Sequence, residues 1–366
     1  MRITRALLSM VAAGAIVAPL LVGAAAQAQV TGSVTVTAQT FNVCKGGPDG
    51  SIAACKTPAP SWSIRRDRVA NVIRAVGADV VGLQEATNYS TPNGTKTQQE
   101  DIRALAATIG YAQPEFDVAG PENECKRPRD ADGELSGPSP CVNTSMLLFN
   151  TATTSAASIP DGSASGGVVM AGSIASGLDA ESAPRSVAWA FLQKNGSTFL
   201  AISVHTSNAK TPEGEASRVT FAFGLAPWAR ALSANKGFPA DLPVILLADL
   251  NSFHKRQPQG AQTALVNNGW TDSFSAPLQK NISYSTINYS ADKRGNPQGF
   301  PAKPKLTKKT KNNKKAAATR IDYVLGLNGV RFSRYEVVMF LNPDGTFNPD
   351  FQASDHQSVV ADAVLP

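Results

Sequence analysis

The sequence predicts a layered domain of the α/β or α+β class, on three observations. Strand-length runs of alternating or continuous apolar residues recur from Val34 to Ala363. Only a few segments with helical spacing interrupt them, and polar residues collect where the runs stop. The chain has 366 residues, 42% of them apolar, which suffices for one large domain or two small ones. It shows no internal repeat and no clean linker.

The first residues decide the compartment. Met1 to Arg5 is short and basic, Leu7 to Ala26 is almost wholly apolar, and Ala26 and Ala28 are small. This is the order of a cleavable secretory leader; the many Ala and Gly residues and the small-x-small ending weigh against a retained membrane anchor. Residues 1–28 are therefore expected to be removed, leaving a secreted domain over 30–366. No comparable apolar run follows, so no stable membrane insertion is expected.

Val34 to Phe41 alternates like a half-buried strand. A helix follows, with Ile64, Val69, Val72, Ile73 and Val76 near one face and Ser61 or Ser63 as its cap. Asp79 to Gln84 is a short apolar run, and Ile102, Leu105 and Ile109 mark a second helix. Ser145 to Phe149, Val187 to Gln193, Phe199 to Val204 and Pro243 to Ala248 read as strands. Between the last two lies a third helix, from about Glu215 to Ala234, which Pro227 is expected to bend or split. Ile321 to Leu325, Tyr335 to Phe340 and Gln357 to Ala363 complete the strands.

Cys44, Cys55, Cys125 and Cys141 are an even number in a chain bound for export, so disulfides are expected. Three connectivities are possible; the local one, Cys44 with Cys55 and Cys125 with Cys141, closes the shortest loops. Metal binding by the thiols is the rival, but none of their spacings is of the short zinc type. The formal charge of +6 is localised. Arg2 and Arg5 leave with the leader, and the lysines at 303, 305, 308, 309, 311, 314 and 315 outnumber the remaining excess. A generally basic surface is thereby excluded. The segment that holds these lysines, about 292–319, lacks apolar periodicity and is rich in Pro, Gly and Asn, so a mobile loop is expected there. Lys308, Lys309 and Lys311 are candidate contacts to a polyanion, with a merely solubilising insertion as the alternative.

Where strands stop stand Asn42, Glu85, His205 and Asp249 with Asn251; Asp322 sits inside the run Arg320 to Leu325, and the pair Asp355-His356 immediately precedes the final strand. Each alone has a bland explanation as a turn, a cap or a solvated end. Together they gather carboxylates with two of the three histidines, His205, His254 and His356, at positions where a rigid core can present polar groups without burying them unpaired.

In order along the chain, Phe41-Asn42-Val43, Asp79-Val-Val-Gly-Leu-Gln-Glu85, Val204-His205-Thr206, Ala248-Asp249-Leu250-Asn251, Arg320-Ile-Asp322-Tyr323 and Ser354-Asp355-His356 resemble the signature of the endonuclease/exonuclease/phosphatase superfamily. The resemblance spans about Val34 to Leu365. It implies a four-layered sandwich, two packed and mostly antiparallel sheets flanked by helices, with the site at one edge. It implies metal-dependent hydrolysis of a phosphate ester by in-line attack of water. By motif, Glu85 would be the principal metal ligand, with Asn42 and Asp355 nearby. Asp249 and Asn251 would position or deprotonate the water. His356 would bind or protonate the phosphoryl group, with Asp322 orienting its ring, and His205 would contact phosphate. Arg185 sits where a phosphate-binding arginine is expected, although a surface ion pair fits it as well. The usual Gly-Asp-Phe-Asn is Ala248-Asp-Leu-Asn251 here, which leaves the polar pair intact. A phosphate-side tyrosine has no motif; Tyr89 and Tyr111 are candidates. His254, three residues after Asn251, could reach substrate, although decoration of the loop is the favoured reading.

The chemistry asks for these residue types independently. A phosphodiester is an anion that repels a nucleophile, and a hard cation neutralises its oxygens. Mg²⁺, or Mn²⁺ or Ca²⁺, prefers carboxylate and amide oxygens such as those of Glu85, Asn42 and Asp355. A histidine held by a carboxylate gains a fixed tautomer and a raised pKa. The leading expectation is a monomeric secreted nuclease without a protein partner, DNA and RNA both fitting as substrate. A sphingomyelinase-like phospholipase or another phosphoesterase of the fold is the alternative, and a binding module that has lost catalysis is the reading from another class.

Overall fold

A run such as Val244-Ile-Leu-Leu-Ala248 has no polar face to offer water, so it must be covered on both sides. The computed structural model covers it: Val244, Leu246 and Ala248 pack in one core with helices, while Ile245 and Leu247 pack in a second core between two sheets. Residues 32–46, 55, 59–88, 91, 96–115, 145–175, 185–254, 259–288, 290–291, 297–307 and 318–366 are described by the structure, and Ser33–Pro366 forms one compact unit. The leader, Cys125, Cys141, Tyr89, Lys308, Lys309 and Lys311 lie outside the described residues.

The first sheet contains β1 (Thr35–Asn42), β2 (Val80–Gln84), β3 (Tyr111–Ala112), β4 (Ser145–Asn150), β11 (Leu278–Lys280), β15 (Arg331–Val337) and β16 (Val359–Val364), in the order β11-β15-β16-β1-β2-β4-β3. The second contains β5 (Ser155–Ala156), β6 (Gly166–Met170), β7 (Ser186–Lys194), β8 (Ser197–His205), β9 (Val244–Asp249), β10 (Thr271–Asp272) and β14 (Asp322–Leu327). Its order is β10-β14-β9-β8-β7-β5, with β6 also paired to β7. β1 with β2, β11 with β15 and β8 with β9 run parallel, and every other pair in these sheets is antiparallel. Helices α1 (Trp62–Val76) and α2 (Gln98–Thr108) cover the outer face of the first sheet. Helices α3 (Pro212–Asn235) and α4 (Ala261–Asn267) cover the second. The four-layered α/β sandwich expected from the resemblance is the observed fold.

The sheets approach closely at Gly82, where an added Cβ would lie 2.5 Å from Leu247 Cβ and 3.2 Å from Ser203 Oγ. Just beyond it a buried polar bridge joins the layers. Gln84 Nε2 donates to Ser203 Oγ at 3.1 Å and to the Leu247 carbonyl at 3.2 Å, while Thr40 Oγ1 donates to Gln84 Oε1 at 3.1 Å. Every buried polar atom left without a partner would cost about 1–3 kcal/mol, so this bridge specifies how the sheets align.

Four expectations from the sequence are corrected. Ile64 is exposed, and the buried stripe of α1 runs instead through Trp62, Arg65, Val69, Val72 and Ile73. β15 runs from Arg331 to Val337, and a register shift between Phe332 and Arg334 lets Phe332 and Tyr335, three residues apart, both face the core. Pro227 does not split α3, which runs unbroken for 24 residues. A proline has no N–H for the carbonyl four residues earlier; that carbonyl, of Phe223, accepts from Asn268 Nδ2 at 3.3 Å. Finally, part of the segment expected to be mobile is tied down. Ser290–Ala291 and Pro297–Gly299 form a two-stranded ladder, β12 and β13, and the Lys305 carbonyl and Thr307 amide bond to the Ser285 amide and Ser283 carbonyl, at 3.0 Å each. Backbone hydrogen bonds order this stretch without the apolar periodicity that would have signalled it.

Candidate active site at the sheet edge

Strand register builds the site. In β8, β9 and β14 the residues His205, Asp249 and Asp322 lie side by side: His205 pairs with Asp249 and Asp249 with Asp322. Side chains two apart share a face, so Asp249 follows Ile245 and Leu247 toward the first sheet, and Asp322 follows Val324. In β1, Val36 and Ala38 face the same layer, which aims Asn42 at Asp249. Asn42 Nδ2 donates to Asp249 Oδ2 at 2.9 Å, closing the gap between the sheets.

His356 arrives on the segment before β16. Its Nδ1 lies 3.1 Å from both carboxylate oxygens of Asp322 and 3.9 Å from Asp249 Oδ2. Asp249, Asp322 and His356 each bring one ligand-type atom within 4.8 Å of the others. The segment 285–288 packs beneath them. Thr286 Oγ1 accepts from the Ile321 amide at 3.1 Å, the Thr286 carbonyl accepts from the Gln357 amide at 2.8 Å, and the Asn288 amide donates to the Asp355 carbonyl.

Burial works against a charged His356, yet the carboxylates of Asp322 and then Asp249 hold its pKa well above the ordinary histidine range. The opposite holds for His205, which burial, then the positive charges of Arg185, His356 and Lys45, push well below that range. Asp249 is pushed up to about 7 by burial and by Asp322, against the pull of His356 and of the Asn42 hydrogen bond. One imidazole is thus kept cationic and the other neutral, and a carboxyl group is poised near neutrality.

His205 Nε2 lies 2.9 Å from Asn251 Nδ2 and 3.5 Å from Asp249 Oδ2, and its Nδ1 is 3.3 Å from an Arg185 guanidinium nitrogen. Asn251 adopts φ 46°, its amide donates to Asp249 Oδ1 at 2.9 Å and its side chain donates to the Thr206 carbonyl at 3.1 Å. Arg185 is partly buried just ahead of β7. A buried ion pair on α3 supports this half. Arg218 donates to Glu215 Oε2 and to the carbonyls of Ser207 and Ala209, while Ser252 Oγ donates to Glu215 Oε1 at 2.6 Å.

On the other half, Glu85 follows β2 with φ 56°, a left-handed conformation uncommon for a residue with a long side chain. Its Oε2 accepts from the Lys45 amide at 3.1 Å, and Asn42 Oδ1 accepts from the Cys44 amide at 3.0 Å. The carboxylate of Glu85 and the carboxamide of Asn42 are therefore pinned by adjacent residues of one turn. Asp355 is partly exposed, and one of its carboxylate oxygens comes within 4.8 Å of the sulfurs of Cys44 and Cys55. Those sulfurs form a disulfide and offer no thiolate to a metal. Carboxylate and amide oxygens on this side are a donor set for a hard cation, with backbone N–H groups fixing their lone pairs.

Tyr111 is not part of the site. It lies in β3 with its hydroxyl donating to the Ala78 carbonyl at 2.8 Å, at the start of β2 and roughly 20 Å along that strand from Glu85. Burial and then Asp79 push its pKa to about 12. His254 is partly buried in the loop after Asn251. Sequence reasoning missed Gln84, Thr286, Arg65 and the Glu215–Arg218 pair. A polar Gln84 ending an otherwise apolar strand was the one local signal among them.

The Cys44–Cys55 bridge closes the turn that leaves β1. Non-reduced peptides of the protein are expected to show Cys44 joined to Cys55 and Cys125 to Cys141 by mass spectrometry; four free thiols would contradict this. Because Cys44 adjoins the amides that hold Asn42 and Glu85, reduction by a dithiol is expected to lower turnover before it unfolds the chain.

Residues 40–356 match the sequence profile of the Endonuclease/Exonuclease/phosphatase family. Several solved structures share the fold. An endonuclease/exonuclease/phosphatase family protein from Bacteroides thetaiotaomicron is 18% identical with a TM-score of 0.58, over 92% of this chain and 99% of that one. The mannosyl-6-phosphatase of Bacteroides thetaiotaomicron VPI-5482 is 17% identical with a TM-score of 0.57, over 90% and 100%. The catalytic domain of human Nocturnin, with bound sulfate, is 14% identical with a TM-score of 0.50, over 90% and 95%. At these identities the likeness is one of fold. None of the curated proteins matches significantly.

Proposed function

This chain belongs to the endonuclease/exonuclease/phosphatase family and is a phosphoesterase of that fold, and we propose that it is a secreted nuclease that cleaves phosphodiester bonds with a divalent cation. The observation that carries the reading is the convergence of Asn42, Asp249, Asp322 and His356 from four chain segments onto one edge of the sandwich. Glu85, Asn42 and Asp355 hold the cation, which when bound neutralises charge on the phosphoryl oxygens. His356 is not a ligand in this reading: kept protonated by Asp322, it has no lone pair to offer and instead donates a proton toward the phosphoryl group. Asp249 takes the proton of the attacking water, and Asn251 orients that water. His205, kept neutral, and Arg185 contact the phosphoryl oxygens.

Secretion is supported by the leader-like residues 1–28 and by the Cys44–Cys55 disulfide. Among the described residues no helix is long and apolar enough to cross a membrane. The lysines favour a polyanionic substrate. Offering Mg²⁺-loaded protein plasmid DNA, RNA, sphingomyelin and a sugar phosphomonoester side by side tests the assignment, and turnover of only the last two would replace it.

Replacing the lysines between Lys303 and Lys315 by Gln is expected to raise KM on long nucleic acid. It should also flatten the slope of log affinity against log salt by roughly 0.7–0.9 for each lysine that engages a phosphate. Turnover of a small phosphodiester should change little. A salt slope equal to that of the unmodified protein would leave the insertion with a solubilising role.

A further inference from the structure

We infer that Arg65 is the positioning residue of the cation-binding half of the site, acting through the peptide planes of the turn 43–46; the inference rests on Glu85 and Asn42 as cation ligands. Arg65 lies in the first turns of α1, is 2% exposed, and is among the largest fully buried side chains of the described residues. Its Nη1 donates to the carbonyls of Val43 at 2.8 Å and Cys44 at 3.3 Å, and its Nη2 to that of Lys45 at 2.7 Å. Nε donates to the Pro60 carbonyl at 2.9 Å, and Nη1 also reaches the Ala353 carbonyl at 3.2 Å, two residues before Asp355.

A trans peptide unit is planar, with its C=O and N–H on opposite sides. The Val43 carbonyl and Cys44 amide belong to one unit, Cys44 carbonyl and Lys45 amide to the next, Lys45 carbonyl and Gly46 amide to the third. All three carbonyls turn toward Arg65. All three amides turn away from it, onto Asn42 Oδ1 at 3.0 Å, Glu85 Oε2 at 3.1 Å and Gln98 Oε1 at 3.0 Å. The guanidinium, joined on the Cys44 carbonyl by Gln98 Nε2 at 3.1 Å, therefore holds the way the turn presents its donors, and those donors fix where the ligand oxygens of Asn42 and Glu85 sit. Its planar fork suits three carbonyls of successive units better than an ammonium does. A cation on the carbonyl side also polarises each unit, strengthening the hydrogen bond its amide gives to the ligand. Cys44 takes φ 53° in this turn, a conformation that reverts without a partner holding it.

Two measurements on Arg65→Met test the proposal separately from the cation assignment. Hydrogen exchange at the Cys44, Lys45 and Gly46 amides is read without metal. Binding of Mg²⁺ is read by calorimetry beside kcat and KM. Exchange at these amides is expected to accelerate by tenfold or more while the sheet amides stay protected, and Mg²⁺ affinity to fall by roughly 10–100-fold. KM at saturating Mg²⁺ should change less than kcat. Arg65→Lys, which keeps the charge but fewer aligned donors, should fall between the two proteins. It carries the same measurements if Arg65→Met does not fold. Wild-type protection of the three amides in a folded variant would overturn the clamp. Faster exchange with Mg²⁺ affinity unchanged would overturn the link from clamp to ligands. If Glu85→Ala in turn leaves Mg²⁺ binding intact, it is the ligand assignment, not the clamp, that fails.

Discussion

Glu85→Ala is expected to lower turnover by roughly 10³-fold or more with the fold intact, and chelation by EDTA to have at least that effect on the unmodified protein. Glu85 is partly exposed at the end of β2 and belongs to none of the three cores, so its removal exposes no apolar surface. What it removes is a ligand from a site whose cation contributes several kcal/mol to charge stabilisation; about 4 kcal/mol corresponds to roughly 10³-fold. Replacing Glu85 by Ala leaves the φ 56° strain in place, since Ala is no freer there than Glu. Glu85→Gln keeps the acceptor for the Lys45 amide and loses only the charge. It should behave like Glu85→Ala if charge is the requirement. Activity at saturating Mg²⁺ with circular dichroism as the check on folding measures both; undiminished turnover in EDTA or in Glu85→Ala would sink the mechanism.

His356→Ala is expected to cost about 10²- to 10⁴-fold, the span of a general acid. The pH profile identifies the role. His356 is held protonated above the usual range by Asp322 and Asp249, so activity should be lost as pH rises through its raised pKa. Asp249, pushed up to about 7 by burial and then Asp322, must be ionised to act as base, so activity should also fall on acidification through that region. Asp322→Asn removes the charge that raises both groups. Both limbs of the bell should then move to lower pH, with turnover reduced by roughly 10–100-fold for loss of the ring's orienting partner. An alkaline limb that stays in place in Asp322→Asn would show that another group titrates there.

Much of this site was legible in the sequence because strand periodicity is local. The run Val244 to Ala248 and the alternation from Val34 to Phe41 announce which faces are buried, and Asp249 and Asn42 simply continue those faces past the apolar run. The resemblance added the order of the motifs and hence the sandwich. The local pairing of Cys44 with Cys55 was legible for the same reason, the bridge spanning a sequence separation of 11. Tyr111 was not decidable by such means: whether a tyrosine lies at the near or far end of a sheet depends on the direction in which its strand is threaded.

The sequence by itself determined the alternation of layers and the polar residues gathered at or beside the strand ends. Only the tertiary structure decided what holds those residues still. Arg65 reads as one more basic residue on an amphipathic helix, and Arg218 as another, yet each is buried and gathers carbonyls from outside its own helix, Arg65 from as far along the chain as Ala353 and Arg218 from the loop ahead of α3. The same holds for Asn268, which satisfies the carbonyl that Pro227 leaves on α3. Every residue carries the same backbone carbonyl, so nothing in the sequence marks which carbonyls a buried donor will find. That choice is made when the two sheets and their helices close on one another.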